Sequence, residues 1–133
     1  MNIESQRVTV LAPKKEVFEF LTKPANIHEL LPQDKVSDFT SDDSQCSFKV
    51  QGGFTITLVQ DELTPHQRIK MVSGEKSPFP FELVIHIEEI DAQTVGYISF
   101  DGEVNSFLKM MVQKPLTNLF NYMSLKLKEK YDK

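Results

Sequence analysis

The sequence predicts an α+β fold in which a curved antiparallel sheet of seven strands wraps one long C-terminal helix, in the order β-α-α-β6-α. Three observations carry this. Residues 35–104 alternate apolar and polar side chains almost without a break, which is the period of half-buried strands. From about Ser106 the apolar residues instead step by three and four, the period of an amphipathic helix. Between the first alternating run and the rest lie two short helical stretches separated by Pro24. A seven-stranded antiparallel sheet has one apolar face to cover, and the last helix is the element long enough to cover it.

Taken in order, Ile3–Val10 reads as the first strand, ending in the β-rich Arg7-Val8-Thr9-Val10. Pro13 suits a helix start, and Val17, Phe18 and Leu21 follow at helical spacing. Pro24 opens a second short helix with Ile27, Leu30 and Leu31 on one side, and Pro32 stops it. Val36–Thr40 is a weak strand followed by the turn Ser41-Asp42-Asp43. Gln45–Val50 and the run from Phe54 to about Leu63 alternate on either side of Gly52-Gly53, a strong hairpin signal. Thr64-Pro65-His66 turns into Arg68–Ser73, which Gly74 and Pro78 close. Phe79, Phe81, Leu83, Ile85 and Ile87 form the cleanest alternation in the chain. After the turn Asp91-Ala92-Gln93, Val95–Val104 returns. In the last helix Val112, Leu116, Leu119, Phe120, Met123 and Leu127 share one face, and Pro115 predicts a kink or a separate first turn.

Composition bounds the function. At 133 residues the chain fits one domain, residues 1–133, with no internal repeat or low-complexity linker. Hydrophobic residues make up 40% and charged residues 26%, which excludes a disordered class. No run approaches 18 apolar residues, so no transmembrane segment is expected. The first ten residues lack an apolar leader core, and the expected compartment is the cytoplasm. The one cysteine, Cys46, rules out an internal disulfide and a multi-cysteine metal site. Because it alternates with Phe48 and Val50, it reads as a buried thiol.

The net charge of −4 is unevenly spread. From Lys109 onward, six Lys against Glu129 and Asp132 give +4, which leaves −8 for residues 1–108. Only Arg7 and Arg68 are arginines, a poor set for reading phosphates or bases, so no nucleic-acid partner is expected.

Four segments resemble one family. VTVLAPKKEVFEFLTKPANIHELLP (Val8–Pro32) is similar to the opening strand and paired helices of the START-like, helix-grip superfamily, also called SRPBCC. GGFTITL (Gly52–Leu58) and PFPFEL (Pro78–Leu83) resemble its central strands. FDGEVNSFLKMMVQKPLTNLFNYM (Phe100–Met123) is similar to the strand-to-helix junction of a small bacterial subgroup described as SRPBCC or polyketide-cyclase-like. The resemblance spans nearly the whole chain. It implies the helix-grip fold, but its members include lipid carriers, hormone receptors, cyclases and chaperone activators, so fold alone does not select a function.

On that fold, alternation aims Phe48, Val50, Phe54, Ile56, Leu58, Ile69, Met71, Phe81, Leu83, Ile85, Ile98 and Phe100 inward from the sheet. The helix adds Met110 or Met111, with Met111 taken as the wall residue, together with Leu116, Phe120 and Met123. A hollow so lined takes a small apolar ligand by burial alone, such as a lipid, isoprenoid or polyketide-like compound. The same side chains can also meet in the middle and fill the space.

Two other readings stay open. One is a cyclase- or dehydratase-like reaction in the same cavity, with Asp101 or Glu103 as acid/base. The other is an interaction module that docks a protein or an anionic membrane surface through the basic helix or a sheet edge. No Gly-x-Ser-x-Gly elbow or phosphate loop is present, and His28, His66 and His86 are far apart. No catalytic residue, metal or cofactor is therefore assigned, and binding is favoured over catalysis.

Overall fold

The structure is a computed structural model that describes residues 1–51 and 53–132. The sheet is an antiparallel meander. Its strands are β1 (Asn2–Glu4), β2 (Val8–Val10), β3 (Val36–Ser41), β4 (Gln45–Val50), β5 (Phe54–Thr64), β6 (Arg68–Ser73), β7 (Phe81–Ile90) and β8 (Gln93–Gly102). Neighbours run β1-β8-β7-β6-β5-β4-β3, with β2 also on β8. Helix α1 (Lys14–Leu21), a tight 3-10 helix (Pro24–Leu30) and helix α2 (Ser106–Tyr131) complete the order. The curved α+β sheet with a long C-terminal helix is the architecture the pattern predicts.

Three details differ from the sequence reading. The expected first strand, Ile3–Val10, is two strands on the same partner: Ile3 faces Phe100 and Thr9 faces Val95. Between them Ser5 keeps its N–H on Ile98 O at 2.8 Å, and at Gln6 and Arg7 the chain leaves the ladder, Gln6 reaching α2. The second short helix is 3-10 rather than α, closing within the few residues between Pro24 and Pro32. The strand expected from Phe79 begins at Phe81. Phe79 is nevertheless buried, stacked edge-on against Phe81 at 6.0 Å.

The turns follow their chemistry. Asp91 and Ala92 hold φ of 53° and 64° between the paired Ile90 and Gln93, the mirror-image turn that matches strand twist. Gly53 takes φ 95° before Phe54 pairs with Val50, while its expected partner in the turn, Gly52, lies outside the described residues. α2 runs unbroken through Pro115, although Met111 loses the amide that would bond its carbonyl. Asn105 caps it, with Oδ1 accepting from the Leu108 N–H at 2.8 Å.

α2 leans to one side of the sheet. It contacts β1, β2, β8 and the short helix. Ser5 Oγ accepts from the Ile98 N–H at 2.8 Å and meets Ser124 Oγ at 2.7 Å, and both serines are buried. Asn121 Oδ1 accepts from the Gln6 N–H at 2.8 Å. The break in the first strand is thus the latch that seats the C-terminal half of α2.

Candidate functional site

Twelve of the fourteen expected wall residues lie in one buried core. Phe48, Ile56, Leu58, Met71, Phe81, Leu83, Ile85, Ile98, Phe100, Leu116, Phe120 and Met123 are each no more than 4% exposed. Their alternation on curved strands turns one face of each strand toward the helix. Phe54, at the start of β5, is half-buried against the same core. Met111 requires a correction: it stands 54% exposed on the outside of α2. The buried stripe runs through Val112, Leu116, Leu119, Phe120 and Met123, and one residue back is about 100° around the helix.

The middle of this space is filled. Phe100 meets Phe120 with ring centroids 5.1 Å apart, and Phe81 stacks on Phe100 at 4.9 Å. Phe39 stacks on Phe48 at 6.4 Å near the other end.

The space opens at the side from which α2 leans away. Between the middle of α2 and the β3–β4 edge lies a groove of about 440 Å3. Its apolar floor is Pro32, Val36, Val50, Pro115 and Leu119, and Tyr122 stands at one end. Asp34, Lys35 and Lys114 supply charge at the rim.

Local structure explains each wall. Pro32 ends the short helix, and the turn that follows is closed by the Lys35 N–H donating to Pro32 O at 3.0 Å. The Gln51 N–H then donates to Lys35 O at 2.8 Å, tying that loop to the end of β4. Val36 pairs with Val50 across β3–β4, so both present one apolar edge. Pro115, Leu119 and Tyr122 follow at i, i+4 and i+7 along α2. Val50 and Leu119 belong to both groove and core, 5% and 4% exposed. Sequence reasoning missed Pro32, Lys35, Val36 and Tyr122 as site residues. The i, i+4, i+7 spacing from Pro115 was the available signal.

Other chemistry gathers on the outer face of the sheet. His86 Nε2 lies 2.8 Å from Ser99 Oγ, and its ring stacks on Tyr97 at 4.4 Å. Arg7 sits over the Tyr97 ring at 3.8 Å and pairs with Glu4 and Glu88. Burial holds the His86 imidazole below its ordinary pKa, with the charge of Glu88 opposing. A Ser–His pair becomes a nucleophile when a third group orients the imidazole and donors await an oxyanion. Here the carboxylate that reaches the cluster, Glu88, is held by Arg7 and the Tyr97 hydroxyl.

Asp101 and Glu103, the expected acid/base candidates, are both exposed. Cys46 is 1% exposed, and burial pushes its thiol up to about 12, so it is inert at neutral pH. Among the described residues no group of three or more His, Cys, Asp or Glu is placed to hold a metal, and no helix is long and apolar enough to cross a membrane.

No family model matches the chain, and no curated protein matches it by sequence. Solved structures do match over nearly its whole length. A Thermus thermophilus protein superposes with TM-score 0.71 at 14% identity, covering 98% of this chain and 97% of its own. The Aha1 dimer from Colwellia psychrerythraea gives 0.68 at 17% identity, covering 98% and 96%. A START superfamily protein from Mycobacterium smegmatis gives 0.67 at 11% identity, again covering 98% and 96%. The fold is therefore the START-like helix-grip fold that the four sequence segments resemble.

Proposed function

We propose that this protein binds a small apolar molecule, of lipid, isoprenoid or polyketide-like kind, between the sheet and α2, and that the ligand enters by the groove at Pro115 and Leu119. The observation that carries the reading is that Val50 and Leu119 are shared: the apolar floor of the groove is the edge of the buried core itself. A volume of about 440 Å3 suits a small ligand, since such sites run from roughly 300 to 1,000 Å3. Binding is sequestration. The ligand's apolar body lies on Val36, Val50, Pro115 and Leu119, and the wall of Leu116, Phe120, Phe48 and Met123 lies behind them. Burial of apolar surface at roughly 25 cal/mol per Å2 supplies the affinity. An acid/base reaction at Asp101 or Glu103 gains no support from their exposed positions. START-like proteins commonly bind hydrophobic ligands, which agrees with this reading.

Two measurements test it. Native mass spectrometry of the purified protein, followed by denaturing extraction, is expected to reveal a co-purifying apolar molecule. Titration with the apolar fluorophore N-phenyl-naphthylamine is expected to show saturable binding that Val36→Phe, which narrows the groove, weakens by about fivefold or more. Absence of both a co-purified molecule and saturable probe binding overturns the proposal. Probe binding that Val36→Phe leaves unchanged overturns its placement in the groove.

A further inference from the structure

The first two turns of α2 carry the two most exposed large apolar side chains in the described structure, Met110 and Phe107, with Met111 beside them. Phe107 is 70% exposed, Met110 84% and Met111 54%. They sit on a capped helix, not a loose loop, and from Ser106 to Met111 every residue except the half-buried Leu108 is exposed. Lys109 and Lys114 flank them, and from Val104 to Lys128 the chain contains no acidic residue.

We propose that this tip docks on an anionic lipid surface, with Phe107, Met110 and Met111 entering the interface and Lys109 and Lys114 meeting the headgroups. Charge complementarity favours this occupant. Lys109 and Lys114 make the tip basic, whereas residues 1–108 carry −8, so a negative surface attracts the tip and repels the acidic body, and the exposed Phe107 and Met110 distinguish this end of α2 from its lysine-rich C-terminal end. A second copy of the chain is a poorer fit. A two-fold pairing through the tip sets Lys109 and Lys114 against their own counterparts. Three side chains also fall well short of the ~800 Å2 per partner that a stable protein interface buries. A lipid interface needs no such area, because a few apolar side chains inserted shallowly, with basic neighbours, suffice for reversible binding. The inference stands whether or not the groove holds a ligand.

The test is co-sedimentation with vesicles of phosphatidylcholine alone and of phosphatidylcholine with about a third phosphatidylglycerol. The expected result is binding to the anionic vesicles, weakened by added salt, with little binding to the neutral ones. The double substitution Phe107→Asp, Met110→Asp, at side chains outside the buried core, is expected to keep the thermal midpoint and reduce vesicle binding by about tenfold or more. Lys109→Glu with Lys114→Glu is expected to act in the same direction. No binding to anionic vesicles, equal binding to neutral ones, or wild-type binding by the Phe107/Met110 variant each overturns the proposal. So does a concentration-dependent dimer in sedimentation velocity that this variant abolishes, which would assign the tip to a second copy.

Discussion

Ser5 ties α2 to β8 through one buried hydroxyl, and its removal makes a quantitative test. Ser5 is 5% exposed and Ser124 2%. Ser5 Oγ accepts from the Ile98 N–H, contacts Ser124 Oγ, and lies 3.1 Å from Gln6 O. Ser5→Ala deletes these bonds and leaves the Ile98 amide with no acceptor in a dry site. A lost hydrogen bond costs about 1 kcal/mol and an orphaned buried donor about 1–3 more, so the expected loss is about 2–4 kcal/mol. Ser124→Ala removes one bond while the Ser5 hydroxyl still donates to Gln6 O, for about 0.5–1 kcal/mol. Unfolding entropy of about 2.1 cal/mol/K per residue over 133 residues gives roughly 280 cal/mol/K. Ser5→Ala should then lower the thermal midpoint by about 7–14 °C and Ser124→Ala by about 2–4 °C. Urea unfolding with unchanged slopes checks the order, and equal losses for the two variants, or less than about 0.5 kcal/mol for Ser5→Ala, refute the latch.

Two further perturbations test the sheet. Ala92→Gly is expected to stabilise by about 0.5–1 kcal/mol in urea, because Ala92 holds φ 64° where a Cβ is penalised; a neutral or destabilised variant counts against that strain. His86 is held below its ordinary value of 6.5, so below that pH the unfolded chain binds more protons than the folded one. Its contribution is present above 6.5 and is lost as pH falls through the folded value. Midpoints measured from about pH 7 down to pH 5 should fall less steeply in His86→Gln than in the natural chain, and parallel curves would show that burial does not shift this group.

The elements legible in the sequence were those whose signal is local. Phe81, Leu83, Ile85 and Ile87 show the strand period without interruption, and β7 follows them. Val112, Leu116, Leu119 and Met123 show the helix period, and α2 starts at Ser106 as their spacing requires. The break at Gln6 and Arg7 was not legible, because it depends on Ser124 and Asn121 at the far end of the chain. Ile3 and Val8–Val10 read locally as one strand. Met111 failed for a different reason. Phe107 and Met111 are spaced by four just as Val112 and Leu116 are, and period alone does not say which stripe of a helix the sheet covers. The groove was illegible in the same way: its walls come from α2, β3–β4 and the loop after Pro32, and it exists because α2 leans toward β8.

That lean divides α2 into a fixed half and a free half. The side chains that tie the helix to the body lie from Asn121 onward: Asn121 to Gln6, Ser124 to Ser5, and Lys130 to Glu29 with its ammonium over the Phe20 ring at 4.3 Å. Earlier in the helix, the polar side-chain bonds are internal, Asn105 capping Leu108 and Thr117 donating to Gln113 O. From Ser106 to about Pro115 the helix is therefore held by apolar contacts such as the buried Val112, and it is bare at Phe107, Met110 and Met111. Segments with few buried contacts open at lower free energy than the core. Under the proposed function, a ligand seated on Val50 and Leu119 would lie away from the serine latch at Ser5 and Ser124. Lys114 stands at both the groove rim and the basic flank of the tip, so a surface that draws in the tip also brings the mouth of the groove against it.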